Sequence, residues 1–377
     1  MGDMALLKEG QGHIVLFYPN IPEGTIDEVV ETLQSRWIGQ GPKVDLFEQE
    51  FAQKFTPGWK TVAVNAGTSA LHLAYLAANI QPGDEVISTI FTCTATNIPL
   101  LHCGAKIVFA DIDPNTMNIS AAHVKQLISE KTKAIVCVDY GGCPCPMDEL
   151  RDIANQFKIP IIEDAAQSLG GSYKGRSIGT LADYTAFSFQ AIKHITTADG
   201  GMITLKSDEM ERKLKRLRWF GIDRYAKQNG IWANDITEIG FKYQMTDVAA
   251  AMGLASLRSF DEKMRLRQKL LSIYAECLVD VPGLHIVGKE FIGKGHAAWL
   301  CTVLAENRTG LQKYLREHGI ESNQVHFRND RYSIFGGRVK HCPNMDAVED
   351  CYLILPLHTH LTEEDVHRVC DTILRGW

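Results

Sequence analysis

From residue 61 to about residue 205 the chain alternates short apolar runs rich in β-branched residues with segments whose apolar positions recur at helical spacing. The runs at 62–64, 85–88, 107–109, 134–138 and 160–163 predict strands, and 68–76 and 120–128 predict helices, the second opened by Ser120 as its cap. Pro82-Gly83-Asp84 marks a turn. This alternation predicts an α/β fold: a mixed, mostly parallel sheet flanked by helices. After residue 208 long charged helices take over, at 209–219 and 246–269, separated by an unpatterned stretch at 221–240 of a length usually kept for function. Beyond residue 272, β-like runs such as 298–304 and helical patterns at 309–318 and 362–374 predict a smaller α+β unit. The expected division is a large domain over 1–255 and a small C-terminal domain over 256–377.

Charge and cysteine usage narrow the class. A net charge of −6 with no long basic run argues against nucleic acid as a partner. Arg212, Lys213, Lys215, Arg216 and Arg218 form one cluster; the leucines at 214 and 217 make it read as a solvated helix face, with an anionic ligand such as a nucleotide diphosphate as the alternative. No apolar stretch reaches the ~18 residues of a membrane span, and residues 1–12 lack the apolar core of a secretion signal, so a cytoplasmic protein is expected. The ten cysteines show no framework; Cys137, Cys277, Cys301 and Cys370 read as small buried apolar residues. Cys143-Pro144-Cys145 reads as a turn, because neighbouring histidines offer no ligand spacing and no metal is expected.

The candidate chemistry sits at two places. Asp164 ends the apolar strand run Ile161-Ile162, where an unpaired carboxylate is costly unless a cation meets it. Lys193 follows 29 positions later in Phe187-Ser188-Phe189-Gln190-Ala191-Ile192-Lys193-His194, ahead of Gly200-Gly201. A lysine in such an apolar, glycine-marked setting has its ammonium pKa lowered toward neutrality, and the free amine both attacks and carries protons. An amine to hold an aldehyde and a carboxylate to keep a ring nitrogen protonated are what pyridoxal phosphate requires. Asn65-Ala66-Gly67-Thr68-Ser69 leads from a strand into a helix, so the backbone N–H groups of Thr68 and Ser69 point at an anion. Ser188 is a further phosphate donor, and Phe91, just past a strand end, is placed to stack on a planar ring.

The blocks GTSALHLA (67–74), EDAAQS (163–168), FSFQAIKHITTADGG (187–201) and GFKYQMTDVAAAMG (240–253) resemble the DegT/DnrJ/EryC1/StrS family of sugar aminotransferases over nearly the whole chain from residue 21. The resemblance implies a fold-type I pyridoxal phosphate enzyme working as a homodimer with shared active sites. It implies transfer of an amino group from L-glutamate, leaving 2-oxoglutarate, to a keto carbon of a nucleotide-linked deoxysugar, C4 before C3, with pyridoxamine phosphate as the intermediate form of the coenzyme. Such products feed lipopolysaccharide O-antigen, capsule or antibiotic sugars. By position, Lys193 is the Schiff base lysine and Asp164 the partner of the ring nitrogen; Gln167 meets the ring hydroxyl and Phe91 the ring face; Gly67, Thr68, Ser69 and Ser188 hold the phosphate. Lys242 stands where many members carry an asparagine that reaches the partner's phosphate. His326 and Arg328 fall where the small domain contributes substrate contacts, and the segment at 138–142 departs from the usual histidine-containing form. The alternatives on this scaffold are a sugar dehydratase, which typically has histidine in place of the lysine, and a non-catalytic binding relative. Lys193 argues against the first, and His194 is no substitute, since a shift of one residue redirects the side chain.

Overall fold

The computed structural model describes residues 10, 12–233 and 235–377; most of the segment read for a leader, and Asn234 in the loop, lie outside these. Seven strands form the central sheet: β1 Lys60–Val64, β2 Glu85–Thr89, β3 Lys106–Ala110, β4 Thr132–Val138, β5 Ile161–Asp164, β6 Tyr184–Ser188 and β7 Gly201–Leu205. Their order is β1-β7-β6-β5-β4-β2-β3, with β7 antiparallel to both neighbours and every other pair parallel. The five predicted strands are all present, and the mostly parallel α/β architecture is as the alternation predicts. The hairpin-like β6 and β7 were not foreseen, because the residues between and around them read as site rather than as scaffold.

Alternate side chains of each strand enter two separate apolar layers. Ala63, Ile87, Ile135 and Ile161 face a layer built on Phe47, Phe51, Leu150 and Leu254, while Val62, Val86, Val136 and Ile162 face one built on Leu71, Leu73, Tyr75 and Leu100. Burial on both faces explains why these strands read as continuous apolar runs rather than alternating ones.

The helix Asp247–Cys277 is 31 residues long, capped by Thr246, whose hydroxyl accepts the Ala249 N–H at 3.2 Å. It runs about 45 Å and ends eight residues later than its charge pattern predicts, because Leu270, Leu271 and Tyr274 continue an apolar stripe into a different core. That core is closed by the antiparallel strands β8 Leu284–Ile286, β9 Cys301–Ala305 and β10 Tyr352–Leu355, with the helices Arg308–Glu317 and Glu363–Leu374. The last helix opens with a capping box between Thr362 and Asp365. A fourth cluster, with Leu16, Ile90, Phe91, Tyr140, Trp299 and Tyr352, joins the strand ends of the large sheet to β9 and β10. Among its described residues, the stretch 221–240 holds one short helix, Arg224–Gln228, capped by Asp223.

Candidate active site

Parallel strands present their ligands at their C-terminal ends, where β2, β4 and β5 finish at Thr89, Val138 and Asp164. Register fixes the neighbours: Asp164 lies opposite Val138 on one side and Ala186 on the other, and Ser188 follows two residues beyond that pair. Asp164 is almost fully buried; Oδ2 accepts the Thr96 hydroxyl at 2.7 Å and Oδ1 the Ala166 N–H at 3.1 Å. Burial pushes its carboxyl pKa up, against the pull of those two donors and of the Lys193 charge. Lys193 sits in the turn after β6, its own N–H bonded to the Gln190 carbonyl. Burial brings its ammonium down to about 8, opposed chiefly by the Asp164 carboxylate. Near neutral pH a useful fraction of the amine is therefore free, while enough charge remains to meet the acid.

The other predicted residues divide. Gly67 opens the helix Gly67–Ala77 after an extended Ala66 that provides no side-chain cap, leaving the first N–H groups open to an anion. A Cβ on Gly67 would stand 2.8 Å from that of Ser188, so only glycine lets the two come together. Ser69 donates to the Asn65 carboxamide at 2.7 Å, which fixes the turn with Thr68 between them. Gln167 accepts the Gly141 N–H through Oε1 at 2.7 Å and donates through Nε2 to the His326 ring at 3.2 Å. Burial and the Lys193 charge lower the His326 imidazole to about 3, so it is neutral and its Nε2 accepts. Lys242 extends over the Phe220 ring at 5.2 Å, while its carbonyl accepts from Asn65 beside the helix start.

Two expectations are corrected. The Phe91 ring is wholly buried, met edge-on by Tyr140 at 4.9 Å and Tyr352 at 5.1 Å, so it has no open face for a coenzyme and serves the core. Cys93, two residues on, is the exposed side chain here. Arg328 is also buried: Nε and Nη2 grip Asp330 at 2.6 and 2.7 Å, and Nη1 meets Asp346 and Glu349. With three carboxylates around it, this guanidinium is a structural tie and not a substrate ligand. The basic cluster is likewise more than a solvated face. Lys213 and Arg216 pair with Glu238, Lys215 with Glu48 and Glu211, and Arg218 is buried against Glu48 and the Ala63 carbonyl.

Trp299 is the site residue that sequence reading missed. Its ring lies 3.5 Å from Lys193 Nζ and stacks toward His326, with centroids 6.1 Å apart at 18°. A tryptophan within a β-like run reads as core; only the approach of β9 to the β6 turn places it under the lysine. Asp139, in the divergent segment, accepts the Cys145 N–H at 2.8 Å and the Ser168 hydroxyl at 2.7 Å and so holds a turn. Asn118 braces the same turn by donating to the Cys143 and Pro144 carbonyls.

Burial raises the Asp139 carboxyl to about 6, with Asp164 contributing repulsion. Its folded pKa lies above its unfolded one, so its contribution to stability is full below about pH 4 and lost as pH rises through 6. An Asp139→Asn chain can keep both bonds with the Ser168 bond reversed. It is expected to gain stability relative to the parent as the pH rises from about 4 to about 7, read from urea unfolding at each pH. Equal pH slopes for the two chains would refute this.

The comparisons with known proteins show the family and the fold. The model of the DegT/DnrJ/EryC1/StrS aminotransferase family covers residues 19–374. The chain belongs to this family. GDP-perosamine synthase of Caulobacter vibrioides is 35% identical, covering 93% of this chain and 95% of that protein. Among solved structures, the sugar aminotransferase CalS13 from Micromonospora echinospora superposes with a TM-score of 0.90 at 30% identity, covering 97% and 100% of the two chains. A sugar aminotransferase, Spr1654 from Streptococcus pneumoniae, described as putative in its name, matches in its PMP form with a TM-score of 0.88 at 31% identity, covering 95% and 98%, and it is also solved in a PLP form. The protein is thus a fold-type I, pyridoxal phosphate-dependent sugar aminotransferase. The residues present suit the coenzyme: an uncapped helix start that a Cβ would crowd, a buried acid, and a partly deprotonated lysine.

Proposed function

We propose that this enzyme moves an amino group from L-glutamate to a keto carbon, C4 before C3, of a nucleotide-linked 4-keto-6-deoxyhexose used for cell-surface polysaccharide. The observation that carries the reading is the Lys193 amine within electrostatic reach of the buried Asp164 carboxylate at the C-terminal edge of the sheet. Bound coenzyme supplies an electron sink for the electrons of a broken C–H bond. Asp164, whose ionised form the Thr96 hydroxyl and the Ala166 N–H favour, would hold a proton on the ring nitrogen. Lys193 Nζ, with a pKa near the working pH, takes a proton from the donor carbon and returns one to the sugar carbon. The helix start at Gly67, Thr68 and Ser69, with Ser188, would hold the phosphate, and Gln167 would meet the ring hydroxyl. His326 and Trp299 close the small-domain side, where the sugar would lie.

A homodimer in the cytoplasm belongs to the same proposal. Ile26, Val30 and Leu33 form an exposed apolar stripe at helical spacing, continued by Trp37 and Ile38, and the loop 221–240 exposes Tyr225, Trp232 and Ile239. A second copy covering these faces would carry Lys242 toward the other protomer's phosphate. Among the described residues no helix is long and apolar enough to cross a membrane.

The test is a panel of keto sugars carried on GDP, UDP and dTDP, incubated with the enzyme and L-glutamate. The expected outcome is one 4-amino sugar, identified by mass and by the position of the new nitrogen, with 2-oxoglutarate formed in equal amount. Nitrogen at C3, or no turnover with any 4-keto sugar, would overturn the C4 assignment.

A further inference from the structure

The contact between Lys193 and Trp299 is more elaborately built than packing alone requires. The Trp299 indole N–H donates to the Ile192 carbonyl at 3.2 Å, tying the ring to the residue that precedes the lysine. Phe17 stacks on the indole at 6.3 Å and 23°, and His326 at 6.1 Å and 18°, so the plane of the ring is fixed by neighbours. The backbone that carries it is also clamped. Ala298 holds φ at +52°, a left-handed conformation uncommon for a residue with a Cβ, and its N–H donates to His296 Nδ1 at 2.9 Å. The Trp299 and Leu300 N–H groups both donate to the Gly141 carbonyl. Arg267, buried and meeting carbonyl oxygens in place of a carboxylate, donates to those of Ala298, Trp299 and Leu357 at 2.8–3.0 Å. Backbone strain held by so many bonds is characteristic of functional positions.

We infer that Trp299 is a positioning residue for Lys193: its indole face receives the ε-ammonium whenever the amine is not engaged with the coenzyme. The inference rests on Lys193 being the coenzyme-bearing lysine and adds to that reading a defined resting place. The need is physical. A lysine released inside an apolar site loses hydration and, on a four-carbon stem, samples many rotamers, so a fixed π face both offsets the desolvation and keeps Nζ within reach. The groups that face or sense this amine are Asp164, Cys93, Arg267, His194 and His326. Asp164 favours the ammonium; Arg267 opposes it; His194 is turned away to the Ala297 carbonyl and His326 is held neutral by burial.

The test uses the full chain freed of coenzyme and pyridoxal phosphate itself as the probe. Capture needs the free amine and releases one water, so its rate, followed by absorbance from about pH 6 to about pH 10, rises with a midpoint set by Lys193. Trp299→Leu keeps an apolar wall and removes the π face; the midpoint should fall by roughly 0.5–1.5 pH units. Trp299→Phe restores a ring and should bring the midpoint back toward that of the parent. A leucine variant whose midpoint stays in place or rises would overturn the inference. A second measurement needs no variant: with Lys193 ε-carbon labelled, its methylene protons should resonate upfield in the coenzyme-free chain through the indole ring current and lose that shift when pyridoxal phosphate is captured. Protons at their ordinary lysine position would overturn the inference even if the leucine variant did not fold. The parent reading has its own control, since capture that persists in Lys193→Ala would remove the lysine assignment, whereas normal capture with an indifferent Trp299 would remove only the resting place.

Discussion

Replacing Lys193 with alanine should leave a folded, colourless protein that neither forms a covalent link with pyridoxal phosphate nor transfers nitrogen from glutamate. Half of the expectation is positional. The amine stands at the end of the turn after β6, beside the acid at the end of β5, and His194 cannot step in because its Nε2 is bonded to the Ala297 carbonyl at 2.7 Å. The other half is chemical. Loss of a positioned proton carrier alone costs roughly 10²–10⁴-fold in rate, and loss of attachment adds to it. Lys193→Arg should fare no better, because a guanidinium keeps its proton at any working pH. Visible absorbance with and without glutamate, together with mass after borohydride reduction, checks both variants. A reduced adduct elsewhere on the chain would move the assignment to another lysine.

Arg328→Ala is expected to cost roughly 3–5 kcal/mol of stability, because it strands Asp330. That carboxylate is fully buried and paired bidentately with the guanidinium, with the Val339 N–H as a further donor. Asp346 and Glu349 suffer less, being partly exposed and shared with Arg338. A paired Arg328→Met, Asp330→Leu replacement removes both charges and should recover most of the loss. Denaturant melts check the energies. The same variants separate structure from substrate binding: at a temperature where Arg328→Ala stays folded, KM for the nucleotide sugar should be within about twofold of the parent, about 0.4 kcal/mol. A KM raised by orders of magnitude in the folded variant would restore the substrate role that the geometry denies it.

The difference between Arg328 and Lys193 shows what a sequence can and cannot reveal. Both are cations in apolar company, and both were assigned to the site by their position in a motif. Lys193 faces one acid and an aromatic ring, leaving its amine uncommitted, whereas Arg328 is consumed by Asp330, Asp346 and Glu349, of which two lie 18 and 21 residues away. Phe91 fails for a related reason. The end of a strand is visible in the sequence, but whether a ring there looks outward is settled by Tyr140 and Tyr352 arriving from elsewhere in the chain. The basic run 212–218 reads as an exposed face until Glu48, some 170 residues earlier, turns Arg218 inward.

The sequence by itself determined the α/β architecture, since strands buried on both faces must be apolar runs of strand length, and it singled out the candidate lysine, acid and phosphate turn, since each is a local pattern with its own chemistry. Tertiary structure decided which charges are spent and which are free. The long helix passes from one core into the other because its apolar stripe meets different partners along its length. Trp299 lies under the lysine because β9 packs against the strand ends of the large sheet. These are contacts between residues far apart in the chain, such as Tyr274 with Pro356 and Trp299 with Ile192, and pairings over such distances leave no period or spacing along the chain from which they could be read.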